Sequence, residues 1–402
     1  MSNSRKNFQL KDIVNIQSST RIFEKEYVEE GIPFYRSKEI IEKQKGNDVS
    51  TNLYISQERF NKIKQAYSVP RQGDILLTSV GTIGIPYMVR ENEQFYFKDG
   101  NLTWFNNFSK EIDNKYFYYW ILSEVGKEAL NSILIGTTQK ALTIKDLKSL
   151  EISLPPLSEQ KRISSILSSF DNKIEQLKKQ NNILEDIAQS IFKEWFVKYN
   201  FPNKDGKPYK DNNGKMIDSE LGLIPEGWRV GKLGEIVELI MGESPKGSSY
   251  NETGEGMPLL NGAQELTKDT IIKTKYTTKP TKLAEKNDIL FCIRATIGNI
   301  HFSDTQYCLG RGVAALRPQE DYEFFIYALL TNNLKYIALQ AEGSVIKGLT
   351  KKIISGYKFP FNANISKRYN HISEPILHKY LHNSERISDY IKTRDNLIRN
   401  LI

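Results

Sequence analysis

Two cysteines, Cys292 and Cys308, are all that the 402 residues contain. That is too few for a disulfide framework or a four-cysteine zinc site, and it points to a reducing compartment. The opening residues, MSNSRKNFQL, have no apolar stretch of the signal-peptide kind, and no run of 18 apolar residues occurs anywhere. A cytoplasmic protein with no membrane partner is therefore expected. Phosphate and cofactor turns are also missing. Gly242-Glu243-Ser244-Pro245-Lys246-Gly247-Ser248 has its lysine on the wrong side of the second glycine for a phosphate-cradling loop. Gly310-Arg311-Gly312 is a lone GxG, short of the dinucleotide fingerprint. No Asn-Pro-Pro-Tyr-like stretch is present, because Leu154-Pro155-Pro156-Leu157 has leucine where an amino-methyltransferase needs a polar residue. Asp205-Gly206-Lys207 has nuclease-like spacing but lies in a turn-rich stretch. His378 and His382 stand four apart on a predicted helix, with no acidic third ligand at zincin spacing. With no catalytic or metal constellation and no cofactor turn, a binding role is favoured.

Hydrophobic residues make up 39% and charged residues 26%, the balance of a globular protein long enough for two or three domains. The formal net charge of +8 leans toward a nucleic-acid partner.

The stretch Leu157 to Val197 organises the rest. Ile163, Phe170, Leu177, Leu184 and Ile191 recur every seven residues. Between them fall Ile166/Leu167, Ile174, Asn181, Ile187/Ala188 and Trp195. This seam predicts a coiled-coil helix, about 60 Å long at 1.5 Å per residue. Ser158 is the expected N-cap, with Glu159 suited to the first turn. Asn181 on the seam costs stability but can fix register.

Around this helix the chain repeats itself. Gly73-Asp74-Ile75-Leu76 is answered by Asn287-Asp288-Ile289-Leu290, and Thr82-Ile83-Gly84 by Thr296-Ile297-Gly298, both 214 positions on. Asp113 to Phe117 is answered by Asp321 to Phe325, Gly136-Thr137 by Gly343-Ser344, and Leu154-Pro155 by Phe359-Pro360. Upstream, Leu10 to Val14 and Gly31-Ile32-Pro33 are echoed by Leu233 to Val237 and Gly256-Met257-Pro258. Landmarks in the same order argue for a duplicated domain. Asp74 to Val80 and Ile85 to Val89 read as strands, and Tyr116 to Leu130 as a helix with an aromatic face. A second, poorer seam of Leu377, Tyr380, Ile387, Ile391, Ile398 and Leu401 predicts a C-terminal helix that pairs antiparallel with the first, and Pro375 allows a helix start there. The expected parts are a globular domain 1–153, a helix 154–200, an exposed connector 201–228, a second domain 229–360 and a distal helix 361–402.

Leu154-Pro155-Pro156-Leu157-Ser158-Glu159-Gln160-Lys161-Arg162-Ile163, Phe192 to Val197, Phe201-Pro202-Asn203 and Ile224-Pro225-Glu226-Gly227-Trp228 carry a resemblance over essentially the whole chain. It resembles the specificity subunits of type I restriction-modification systems. The resemblance implies an α+β fold of two mixed α/β target-recognition domains separated by a long antiparallel coiled coil. It implies a non-catalytic subunit that binds double-stranded DNA, two modification (methyltransferase) subunits and, through the complex, restriction (translocase/nuclease) subunits. S-adenosylmethionine and ATP/Mg are then expected in those partners and no cofactor in this chain. Phe359-Pro360-Phe361-Asn362 replaces a second LPPLSEQ, so the distal helix is expected to be a degenerate copy.

Two domains on a stiff spacer can each enter a groove of one duplex. The expected DNA-binding residues lie in polar loops at matching places of the repeat. They are Arg36, Ser37, Lys38, Thr78, Ser79, Gln139 and Lys140, then Asn261, Gln264, Arg294, Arg311 and Lys347. The alternatives are a self-contained DNA methyltransferase or endonuclease, and a coiled-coil scaffold that never touches DNA.

Overall fold

A computed structural model describes residues 5–44, 46, 49–50, 52–136, 140–267, 270–319, 321–343 and 347–402. Contacts divide the chain into two compact units, Met1–Glu175 with Asp389–Ile402, and Gln176–Ser388.

In the first unit, Asn15–Gln17, Leu102–Asn106, Ile75–Thr78 and Pro86–Met88 lie side by side in an antiparallel sheet. All residues of the two inner strands are buried, which is why Ile75-Leu76-Leu77 reads as an unbroken apolar run. Alternation sorts their side chains between two cores. Ile75, Leu77 and Phe105 join Phe117, Trp120, Ile163 and Ile398, whereas Leu76, Leu102 and Trp104 join Ile40 and Phe97. A second sheet orders Tyr27–Val28, Tyr54–Ile55, Ile32–Tyr35 and Tyr96–Phe97, the last pair parallel. Lys6–Gln9 pairs with Glu151–Leu154 and brings the two ends of the globular part together.

The second unit repeats this plan. Val237–Met241, Val313–Pro318, Ile289–Cys292 and Gly298–Phe302 form its antiparallel sheet. Tyr250–Asn251, Tyr276–Thr277, Met257–Leu260 and Tyr307–Leu309 form the other, again with one parallel pair, and Leu283–Ala284 extends it. Arg229–Lys232 with Lys358–Phe361 closes the unit. The repeat expected from scattered landmarks is therefore a repeat of strand order.

The turn ahead of each matching strand explains the Gly/Asn-Asp-Ile-Leu signature. Gly73 and Asn287 are left-handed, with φ of 86° and 73°, a region open to glycine and tolerated by asparagine. The next residue folds back onto the turn. The Asp74 carboxylate accepts the Arg71 amide at 2.9 Å, and that of Asp288 accepts the Glu285 amide at 2.8 Å.

The central helix runs Leu157–Phe192 and continues as a π-helical turn, Lys193–Val197. The Pro156 carbonyl accepts the Gln160 amide, so Ser158 sits inside the first turn rather than capping it. The C-terminal helix runs Ala363–Leu401. It begins ahead of Pro375, where a start was allowed. The Asn362 side chain accepts the Ile365 amide at 3.1 Å and caps the helix. Pro375 lies inside, on the exposed side, where its missing N–H costs one helical bond. Pairing is antiparallel in each unit. In the first, Phe170 meets Tyr390 and Asp171 meets Arg394. In the second, Asn181 meets Tyr380 and Ser384, and the Ala188 carbonyl accepts the Tyr369 hydroxyl. Along the seam Ile163, Leu177, Asn181, Ile387 and Ile398 are buried, and Phe170, Leu184, Ile191 and Ile391 partly so. Ala188 takes the seam position and leaves Ile187 exposed.

Two segments differ from expectation. The Tyr116 to Leu130 region is two helices, Asn114–Leu122 and Glu124–Ser132, broken at Ser123, whose hydroxyl caps the second at the Gly126 amide. A Cβ at Gly126 would lie 1.9 Å from the Trp120 carbonyl oxygen, so the break needs glycine. Its counterpart is the single helix Glu323–Leu339. Residues 201–228 contain a hairpin, Met216–Ser219 with Gly222–Pro225. Phe201 stacks on Tyr209 and Trp228, and Phe201, Ile224 and Trp228 are buried in the core of the second unit.

Candidate nucleic-acid interface

In the first unit, the loop after Ile32–Tyr35 and the turn after Ile75–Thr78 meet at one cleft of about 550 Å³. Ser37, Lys38, Ile41 and Glu42 line it from one side, and Val80, Gly81, Thr82 and Asn101 from the other. Ala141 bridges to Val80, which brings Lys140, exposed, to the same edge. Gln139 lies outside the described residues.

Several of the expected contacts have internal work. Arg36 donates to Glu39 through Nη2 at 2.9 Å, and its amide bonds the same carboxylate at 2.8 Å. This bond raises the guanidinium pKa, and Glu39 is fully buried, so the pair shapes the loop. Thr78 and Ser79 require correction. Thr78 is buried and its hydroxyl accepts the Ile85 amide at 2.9 Å. Ser79 is buried with its hydroxyl 2.7 Å from that of Thr103. Both hold the turn and neither faces solvent. Ser37 donates to the Asn101 carbonyl at 3.4 Å, and Lys38 stands exposed, 3.9 Å from Glu42.

The second unit rebuilds the arrangement with other side chains. Arg294 bridges Gly348, next to Lys347, as Val80 bridges Ala141 next to Lys140. Arg294 and Lys347 are exposed. Asn261 packs on the Gly310-Arg311-Gly312 turn. A Cβ at Gly310 would fall 2.2 Å from the Asn261 side-chain oxygen, and one at Gly312 would fall 2.1 Å from its carbonyl oxygen. The two glycines therefore allow the close approach that presents Arg311. Arg311 is exposed, with Nε 3.3 Å from the Ser244 hydroxyl. The Gly312 carbonyl accepts the Ile293 amide and ties this turn to the strand end that carries Arg294. Gln264 is exposed beside buried Glu265, whose carboxylate accepts the Asn261 and Gly262 amides and pairs with Lys275 at 3.1 Å. Glu265 thus matches Glu39, and neither was anticipated; an acidic residue just after an apolar strand end was the available signal.

The side chains gathered at these edges are cationic or amide-bearing, suited to phosphates and base edges. Cys292 is buried, which pushes its thiol up to about 12 and keeps it protonated and inert. Among the described residues no three His, Cys, Asp or Glu side chains converge as a metal set. Among them, too, no helix is long and apolar enough to cross a membrane.

Each globular part is tied to the helices by buried polar groups. Gln160, 1% exposed, donates to the Pro155 and Glu111 carbonyls and accepts the Asp113 amide, all at 2.9 Å. Asn370 does the same for the second unit, accepting the Phe324 amide at 2.8 Å. Tyr119 donates to Asp171 at 2.5 Å, and the equivalent Tyr327 lies 3.4 Å from Glu185.

Residues 4–209 and 225–363 match the family described as the type I restriction modification DNA specificity domain. Among curated proteins, a candidate MjaX specificity subunit of Methanocaldococcus jannaschii is 33% identical over 72% of this chain and 67% of its own length. The MjaIX type I restriction enzyme specificity subunit of the same organism is 28% identical over 98% of this chain and 91% of its own. Among solved structures, the S subunit of a type I restriction-modification system from M. genitalium covers 100% of this chain and 96% of its own, at a TM-score of 0.59 and 18% identity. That likeness is one of fold.

Proposed function

Because this chain belongs to the type I restriction-modification DNA specificity family, we propose that it reads a bipartite double-stranded DNA target, one half with each globular part. It is the specificity subunit, not the catalytic one, as its relatives are named. Residues 1–153 and 229–360 act as the two target-recognition domains, and 201–228 connects them. The helices at 154–200 and 361–402 hold two modification subunits. Restriction subunits join through the complex. S-adenosylmethionine and ATP/Mg belong to those partners.

The observation that carries this reading is the duplicated edge. One strand order in both units presents loops at matching places, yet with different side chains, Lys38 and Lys140 against Asn261, Arg294, Arg311 and Lys347. A common frame with unlike tips suits two different half-sites. Lysine and arginine on phosphates supply salt-dependent affinity, and amides and guanidinium groups on base edges supply sequence.

Duplex binding by the full chain assembled with its modification subunits tests it. Sequence-specific binding that weakens as salt rises is expected, with methyl transfer only in the assembly. Methyl transfer by the isolated chain would indicate a self-contained enzyme. Absence of salt-sensitive binding to any duplex by the assembly would indicate a scaffold.

A further inference from the structure

The same loop closes the cleft in the first unit and presents Arg311 in the second. Two pairs of backbone bonds fix the correspondence. Lys98 donates to the Tyr35 carbonyl and Gly310 to that of Leu260, each at 2.8 Å. Ser79 donates to the Asn101 carbonyl and Ile293 to that of Gly312, each at 2.9 Å. Lys98 to Asn101 is therefore the counterpart of Gly310 to Gly312.

Asn101 is built into place by its backbone. Its carbonyl takes the Ser79 amide and the Ser37 hydroxyl, so both flanking loops hold it. Gly100, left-handed at φ 74°, turns the chain just before it. The side-chain amide, by contrast, has no partner among the described residues, and the residue lines the cleft together with Lys38, Glu42 and Thr82. The Glu42 carboxylate is engaged by Ser50, at 2.6 Å to its hydroxyl and 2.9 Å to its amide. Of these lining side chains, the one with a donor and an acceptor in a single plane is Asn101. Adenine presents the complementary pair, N7 and N6–H2, in the major groove, whereas arginine's two donors suit guanine O6 and N7.

We propose that Asn101 reads an adenine in the half-site of the first unit, from the loop whose counterpart in the second unit presents Arg311. This rests on the DNA-reading role proposed above and names the base and the residue. Lys38 at the cleft wall supplies the neighbouring phosphate contact.

The test uses the full chain in complex with its modification subunits and competition among duplexes carrying every single-base change in both half-sites. Asn101→Ala and Asn101→Asp are compared with wild type. Aspartate keeps the size of the side chain but loses the donor to N7. Both variants are expected to lose roughly 5- to 150-fold discrimination at one adenine of one half-site and to keep it everywhere else. Unchanged discrimination at every position overturns the proposal. So does a uniform loss on all duplexes by both variants, or an effect confined to a base other than adenine. A wild-type complex indifferent to every base change would defeat the specificity reading itself.

Discussion

Asp171 takes a donor on each oxygen, the Tyr119 hydroxyl at 2.5 Å and Arg394 Nη1 at 2.6 Å. Burial pushes the Tyr119 hydroxyl pKa up, so it remains a donor. Asp171→Ala leaves the Tyr119 hydroxyl without its acceptor and Arg394 with Asp395 alone, and is expected to cost about 2 kcal/mol, the scale of a hydrogen bond to a charged group. The melting midpoint should fall by roughly 4–8 °C. A double-mutant cycle with Arg394→Ala should show coupling; additive losses would contradict the network. Glu93 makes a second prediction. Burial opposes its charge, but bonds from Lys43 at 2.6 Å and from Tyr87 hold its pKa below the usual 4.5. A lowered folded-state pKa gives stability that is present above 4.5 and lost as pH falls through the folded value. Glu93→Gln should therefore lower the midpoint at pH 7 and flatten the acid limb below about 4.5. An acid limb as steep as wild type would contradict it. Such pairs were not legible in the sequence. Asp171 and Glu93 look like any surface carboxylate until folding brings Tyr119 and Tyr87 against them, just as Thr78 and Ser79 look like loop hydroxyls until the turn buries them.

At the scale of elements, the heptad seam was plain to read because coiled-coil burial repeats every seven residues and side-chain type follows burial. Helix starts were less legible, since caps are single hydrogen bonds. Asn362 caps the distal helix although Pro375 offers the louder signal. Asn181 is 6% exposed, donates to the Tyr380 carbonyl at 3.2 Å and to Ser384 at 3.0 Å, and has no partner for Oδ1 among the described residues. Ser384 keeps its own bond to Tyr380 without it. Asn181→Leu should accordingly stabilise the chain by about 1 kcal/mol, read as a higher urea midpoint. A lower midpoint would mean that the polar layer contributes net stability rather than register alone.

For the whole molecule, the duplication was legible because the turn of Gly73-Asp74 and that of Asn287-Asp288 need the same residue types for the same backbone. The side chains at the loop tips were not, because their chemistry differs between units while the frame stays constant. Arg36 and Asn261 occupy matching loops with unlike side chains, and Asn101 gave no sequence signal at all. The central claim is that each globular part reads its own half of the target. Exchanging residues 1–154 for the corresponding part of another family member, so that Lys6–Gln9 and its partner Glu151–Leu154 travel together, and mapping methylated sites genome-wide with the partner subunits present, tests it most directly. The account predicts that one half of the recognised sequence changes and the other stays the same. Simultaneous change in both halves, or in neither, would contradict it.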